Sequence, residues 1–205
     1  MKTTDVSRAA LGRVPVYLKY LKSLPESLQT VSSTTIAKEL GFGEVQVRKD
    51  LSAMCGAGKP RVGYSVADLI GSLEALTSGN RGLTVIIGAG KLGRALLDYD
   101  GFDDYGLSVL AAFDAKVSDA EVTQKGKPIL PMSSLKDFCR EHDISIGVIA
   151  VPPEAAQQTC DLLCENGIKA IWCFAPCRLK THDSTVIQYE NMALSLAHLK
   201  MQIKQ

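Results

Sequence analysis

Two segments of this sequence place residue types at spacings that can do chemistry. The first is Gly88-Ala89-Gly90-Lys91-Leu92-Gly93, a complete G-x-G-x-x-G directly after the apolar run Leu83-Thr84-Val85-Ile86-Ile87. Alone the pattern is weak. Here a strand-like run precedes it, a helical pattern follows it, and the next strand-like run, Leu107 to Phe113, ends in Asp114, 21 residues after Gly93. Gly88 permits the tight turn, Gly90 lets a pyrophosphate approach the backbone, Gly93 allows close helix packing, and the helix N-terminus offers free amides to phosphate. Asp114 would accept hydrogen bonds from the ribose hydroxyls and repel a 2′-phosphate, which selects NAD(H) over NADP(H). Lys116 weakens that selection slightly.

The second segment is Gln46-Val47-Arg48-Lys49-Asp50-Leu51-Ser52, followed by the hairpin-like Gly56-Ala57-Gly58-Lys59-Pro60-Arg61-Val62-Gly63-Tyr64. Val47, Leu51 and Met54 line one face of a helix, which leaves Gln46, Arg48, Lys49 and Ser52 elsewhere around it. Gln can read adenine and Arg or Lys can read guanine in a major groove, while Lys59 and Arg61 on the hairpin can meet phosphate or a minor groove. Ser33 and Tyr64 complete the expected DNA-contacting set.

The elements that must hold these residues divide the chain in two. Residues 1 to 64 carry ten Lys/Arg against five Asp/Glu, and the remainder thirteen against seventeen, so a basic module precedes an acidic one. In the first, Leu11, Val14, Leu18, Leu21 and Leu24 recur at helical spacing from Ser7 to Leu24, with Pro15 as the expected irregularity. A second helix follows Ser33 as its cap and stops at Gly41, and a third runs from about Glu44 to Met54. Helix, short turn and helix followed by a glycine-rich hairpin have the proportions of a winged helix-turn-helix. Residues 66 to 77 read as a connecting helix and Ser78-Gly79-Asn80-Arg81-Gly82 as a linker.

Beyond the linker, strands at 83–87, 107–113, 128–130, 144–151 and 168–174 alternate with helices at 91–99, 133–142 and 153–166. Their Val/Ile/Ala-rich strands imply a parallel sheet buried on both faces, so the expected fold class is α/β. The expected domains are a winged-helix DNA-binding domain over 1–78, a Rossmann NAD(H)-binding domain over 79–189 and a C-terminal exchanged helix over 190–205. In the last of these, Met192, Leu196, Leu199 and Ile203 form an apolar stripe that must be covered.

At 46% hydrophobic and 22% charged residues, the composition is that of a globular protein, and no apolar run reaches membrane-spanning length. A cytoplasmic location is expected, with no membrane partner. The six cysteines (55, 139, 160, 164, 173 and 177) form no Cys-x-x-Cys pair and read as reduced, mostly buried thiols without a metal. His142, His182 and His198 read as surface or packing residues, and no catalytic residue is assigned.

Over nearly its whole length the sequence resembles the Rex redox-sensing transcriptional repressors. The likeness rests on Val47-Arg48-Lys49-Asp50-Leu51, on Gly58 to Tyr64, on Gly88 to Gly93, on Ala150-Val151-Pro152 and Phe174-Ala175-Pro176, and on the final helix. It implies a homodimer on a palindromic double-stranded operator, sensitive to the NADH/NAD⁺ ratio and released by NADH, with C-terminal helices exchanged between subunits. It also implies that Val151, Pro152 and Phe174 join the glycine turn and Asp114 around NAD(H). Lys19, Tyr99 and Asn191 match the family's coupling positions, and a Lys19 to Asn191 bond would retain one charged partner instead of two. The sequence departs from the family at Gly43, Met54-Cys55, Cys173, Asn191 and Met192.

Two other classes fit the glycine motif. An NAD-dependent oxidoreductase would need a substrate domain and an acid or base that the sequence does not offer. A nucleotide or coenzyme A binding module is the other, against which Asp114 argues for a ribose contact and no phosphohistidine-like segment is present to complete a ligase.

Overall fold

The structure, a computed structural model, describes residues 6–77, 82–181 and 185–203. The chain divides into two compact units, Met1–Asn80 and Arg81–Gln205.

The first unit opens with α1 (Arg8–Leu11) and α2 (Val14–Ser23), not one continuous helix. The interruption falls at Gly12-Arg13, ahead of Pro15, because a proline has no N–H and clashes with the carbonyl four residues back; it is accepted in the first turn of a new helix. Then come β1 (Thr30–Val31), α3 (Ser33–Leu40), α4 (Glu44–Cys55), β2 (Tyr64–Ser65) and α5 (Val66–Thr77). The cap of α3 is Ser32, whose hydroxyl accepts from the Thr35 amide at 3.0 Å, rather than the expected Ser33. Both are serines one position apart, and only the extended backbone of Ser32 puts the oxygen over the open amides. Gly41 ends α3 in the left-handed conformation at φ 66°, and the Phe42 amide reaches back to Ala37 at 2.9 Å. Tyr17, Leu21, Ile36, Val47, Leu51, Leu69 and Leu73 are fully buried, so α2, α3, α4 and α5 share one core.

The second unit runs through β3 (Leu83–Ile87), α6 (Lys91–Leu97), β4 (Ser108–Asp114), β5 (Glu121–Val122), β6 (Pro128–Pro131) and α7 (Leu135–His142). It continues with β7 (Ile146–Ile149), α8 (Pro153–Glu165), β8 (Ala170–Cys173), β9 (Val186–Tyr189) and α9 (Met192–Gln202). The sheet order is β5-β6-β4-β3-β7-β8-β9, and every neighbouring pair is parallel except β5 with β6. Without β5, this is the strand order of a dinucleotide-binding fold, which reverses direction between β3 and β7.

Several expectations are corrected. The helix foreseen over 91–99 stops at Leu97 and passes into a 3-10 turn, Asp100–Tyr105, and the one foreseen from 133 starts at Leu135 after another, Met132–Ser134. Strands foreseen over 144–151 and 168–174 contract to Ile146–Ile149 and Ala170–Cys173, because their flanks turn toward Pro152 and Pro176. The short strands β1 and β5, and β9, had no expectation. The residues foreseen as a linker, 78–82, lie outside the described residues except Gly82, as does His182.

One sheet face, with Ile87, Phe113, Ile149 and Ile171, is covered by α7 and α8, which contribute Leu135 and Leu163. On the other, Ile86, Leu97, Ala112, Ile129 and Val148 pack with Phe102, Trp172 and Phe174.

Candidate functional site

In the first unit α3, the Gly41-Phe42-Gly43 turn and α4 form the helix-turn-helix. Val47, Asp50, Leu51 and Met54 of α4 face the core. Arg48, Lys49 and Ser52 therefore project outward, and they meet Ser33, Lys59, Arg61 and Tyr64 around a cleft of about 710 Å³ between α4 and the hairpin. The hairpin is closed by paired backbone bonds between Lys59 and Gly63, at 2.8 and 2.9 Å, and is anchored where Val31 pairs with Tyr64. Arg61 takes a left-handed φ of 65° at its tip, a conformation rarely used by a residue with a side chain. Among the described residues no carboxylate pairs with Arg48, Lys49, Lys59 or Arg61. Four unneutralised cations around one cleft make an anion-binding surface of the kind that phosphate backbones occupy.

Gln46 lies apart from this set. Beside it is a network the sequence did not reveal. Arg13 donates from Nε and Nη2 to Asp50 at 2.7 and 2.9 Å, and the Tyr17 hydroxyl donates to Asp50 at 2.8 Å. Burial pushes the Asp50 carboxyl up, but the bonds from Arg13 and Tyr17 and the Arg13 charge outweigh it and hold it below its usual range. Burial and the adjoining Asp50 raise the Tyr17 phenol, which stays neutral. A depressed carboxylate contributes stability that is present above its unfolded pKa of about 4 and is lost as pH falls through the folded value. Asp50→Asn should flatten the acid limb of the unfolding curve below about pH 4. Asp50→Ala, which strands a guanidinium still one-fifth exposed, should cost about 3 kcal/mol. Chemical denaturation across pH checks both, and an unchanged acid limb in Asp50→Asn would remove Asp50 as its cause.

In the second unit the glycine turn sits where the strand order reverses. Gly88 has φ 100°, and a Cβ there would lie 2.6 Å from the Ala150 carbonyl and 3.0 Å from Val151 Cγ1. A Cβ on Gly93 would lie 1.8 Å from the Gly88 carbonyl, so α6 packs directly on the turn. A Cβ on Gly90 would meet nothing within 4 Å, so this glycine leaves open space above the start of α6, where Lys91 and Leu92 stand. That vacancy and the free amides of the first helical turn fit a pyrophosphate. Val151 and Pro152 follow β7 against the turn, and Phe174 follows β8, stacked edge-on against Trp172 at 4.5 Å.

Asp114 does more than was expected of it. One carboxylate oxygen accepts from the Ala89 amide at 2.7 Å and the other from the Lys116 amide at 2.8 Å, so it ties the glycine turn to the end of β4. Each oxygen keeps a second lone pair for a ribose hydroxyl. The sequence reading missed Arg94, which donates from Nε to the Ala89 carbonyl at 2.9 Å and from Nη2 to Glu121 at 2.9 Å. No local signal marks it, since β5 has only two residues.

Of the three positions expected to couple the two ligands, Lys19 is exposed on α2, and Tyr99 is exposed and packs edge-on against Phe102 at 5.0 Å. The Asn191 amide oxygen caps α9 by accepting from Leu194 at 2.9 Å. The helix it starts exposes Met192, Leu194, Leu196, Leu199 and Met201, and Ile203 just beyond it, at 54 to 79%, so Leu194 and Met201 extend the exposed apolar surface past the expected stripe. His142 packs on Phe138 at 4.2 Å between ring centroids, and His198 is exposed on α9. All six cysteines are free thiols; burial pushes Cys55 up to about 11, and burial and then neighbouring Cys164 push Cys160 up to about 12. No metal cluster occurs among the described residues, and no helix among them is long and apolar enough to cross a membrane.

Comparison with known proteins places relatives on both units. Residues 5–52 match the family model described as a putative DNA-binding protein N-terminus, and residues 80–177 match the CoA binding domain model. The chain is 38% identical over 198 residues to the redox-sensing transcriptional repressor Rex of Clostridium perfringens, covering 95% of this chain and 92% of that protein. It is likewise 38% identical over 200 residues to the repressor of the same name from Syntrophomonas wolfei, covering 96% and 94%. Among solved structures it resembles RSP in complex with β-NAD⁺ and operator DNA, with a TM-score of 0.84, 31% identity and coverage of 98% and 94%. It also resembles RSP in complex with β-NADH, with a TM-score of 0.75, 31% identity and coverage of 98% and 95%.

Proposed function

The chain belongs to the Rex family of redox-sensing transcriptional repressors, and we propose from that premise that it binds a palindromic operator as a homodimer and leaves it when NADH rises relative to NAD⁺. One observation carries this reading: a single chain joins an unneutralised basic cleft on a helix-turn-helix to a dinucleotide-binding turn at a strand-order reversal.

In this reading residues 1–78 are the winged-helix DNA-binding domain, 79–189 the Rossmann domain and 190–205 the exchanged helix. Lys49, Arg48 and Ser52 meet the major groove with Gln46, while Lys59, Arg61, Ser33 and Tyr64 hold the backbone and the groove edge. Gly88 to Gly93 hold the pyrophosphate of NAD(H), Asp114 the ribose, and Val151, Pro152 and Phe174 the nicotinamide side. Lys19, Tyr99 and Asn191 couple the cofactor to DNA. NADH acts through its differential affinity for the DNA-binding and released states, so no chemical step is required of the protein, and we read it as a regulator rather than an enzyme.

The test is selection of an operator from random duplex DNA, then anisotropy titration at fixed salt across NADH/NAD⁺ ratios. Release by NADH and retention with NAD⁺ are expected, and indifference to NADH removes the redox-sensing reading. Consumption of NADH with small carbonyl substrates would restore the oxidoreductase alternative. Coenzyme A is the second ligand to titrate, because the matched Rossmann-type model is named for it.

A further inference from the structure

Gln46 stands in the first turn of α4, exposed, where the N-terminal residues of a recognition helix approach base edges. A free glutamine offers both an acceptor and a donor, the combination that matches the N6 and N7 edge of adenine. This glutamine is not free. The orientation of a side-chain amide follows from its hydrogen-bond partners. With Oε1 toward Arg13, Gln46 accepts from Nη1 at 3.1 Å and lies 3.0 Å from Nε, whose single hydrogen is directed at Asp50; the reverse orientation would set the NH₂ group against N–H donors. Arg13 cannot yield, because Asp50 holds its Nε and Nη2 and is itself fixed by the Tyr17 hydroxyl inside the core. The three groups thus lock one glutamine rotamer from below.

We propose that Gln46 is a specificity-determining residue that shows only its amide N–H groups to the major groove and so selects guanine, with Arg13 and Asp50 as the positioning residues that hold its oxygen. Guanine presents two adjacent acceptors, O6 and N7, and no donor on that edge, whereas the paired contact to adenine needs the amide oxygen and nitrogen to face the base together, and Gln46 turns its oxygen toward Arg13. This rests on the DNA-binding reading above.

The experiment is selection from a random duplex library, with sequencing, by the full-length protein and by Gln46→Ala and Gln46→Glu. Both substitutions lie on an exposed position outside the Asp50 network's buried part. Native protein should select guanine at one base pair in each half-site, and Gln46→Ala should lower that preference about tenfold with the salt slope of binding unchanged. Gln46→Glu retains an acceptor for Arg13 but turns its outward edge into an acceptor, so it should reverse the preference at that pair toward cytosine, whose N4 donates. Adenine or thymine selected by the native protein at the pair that Gln46→Ala relaxes would overturn the proposal. So would native base preferences surviving in both variants. A native protein that selects no sequence at all would overturn the DNA-binding reading with it, which separates the two failures.

Discussion

Removal of the chain from Asn191 onward should abolish the dimer and weaken operator binding by at least about 100-fold. An apolar helix surface must be covered, and α9 leaves five large apolar side chains in solvent, with Ile203 just beyond it a sixth. The second unit meanwhile carries an apolar cleft of about 310 Å³ on its sheet, lined by Ile86, Phe102, Val148 and Trp172, a surface of the kind that subunit contacts cover. Linking two half-site modules makes the second contact intramolecular, and that gain of about 10² to 10⁴ disappears when the link is cut. Light scattering and anisotropy on the shortened protein check both effects. A stable dimer with native operator affinity would show that α9 does not hold the subunits together. Leu196→Asp, which places a charge where apolar burial is expected, should have the same effect without shortening the chain.

How much of this was legible in the sequence depended on whether a local pattern carried the information. The glycine turn was legible because each glycine answers a local steric demand, and the structure shows those demands at Gly88 and Gly93 as clashes with the Ala150 and Gly88 carbonyls. The exposed cations were legible because Val47, Leu51 and Met54 mark the opposite face of α4. By contrast, no local pattern marks Asp50 as the centre of a buried network, since its partners Arg13 and Tyr17 are 37 and 33 residues away. The same distance effect hid the Arg94 to Glu121 pair and the pairing of β1 with β2. Strand β9 was missed because Val186-Ile187-Gln188-Tyr189 is short and half exposed at the sheet edge, so neither alternation nor a continuous apolar run identifies it. The cap at Ser32 turned on backbone angles that two adjacent serines cannot distinguish by type.

Gly93→Ala should lower affinity for NAD⁺ and NADH at least about 100-fold and leave the protein bound to its operator at any NADH concentration. The added methyl would stand 1.8 Å from the Gly88 carbonyl and 3.0 Å from its carbon, both backbone atoms, so the turn cannot move aside as a flexible side chain would. Either α6 lifts off or the turn opens; each spoils the convergence of first-turn amides that holds a pyrophosphate. Such overpacking also costs about 1 to 3 kcal/mol, so the second unit should melt earlier while the helix-turn-helix unit, with its own core, keeps its fold. Asp114→Ala separates this loss of the phosphate site from loss of ribose recognition. It removes an acceptor that would face the ribose and, with it, the tie to the Ala89 amide, so NAD(H) should weaken about tenfold while NADP(H), no longer repelled, gains relative to it. Calorimetric titration of both variants with both cofactors provides the measurement. Gly93→Ala should lose both cofactors, and Asp114→Ala should lose the preference between them. Native affinity in Gly93→Ala would place the cofactor away from the glycine turn, and an unaltered preference in Asp114→Ala would leave Asp114 as a brace for the turn alone.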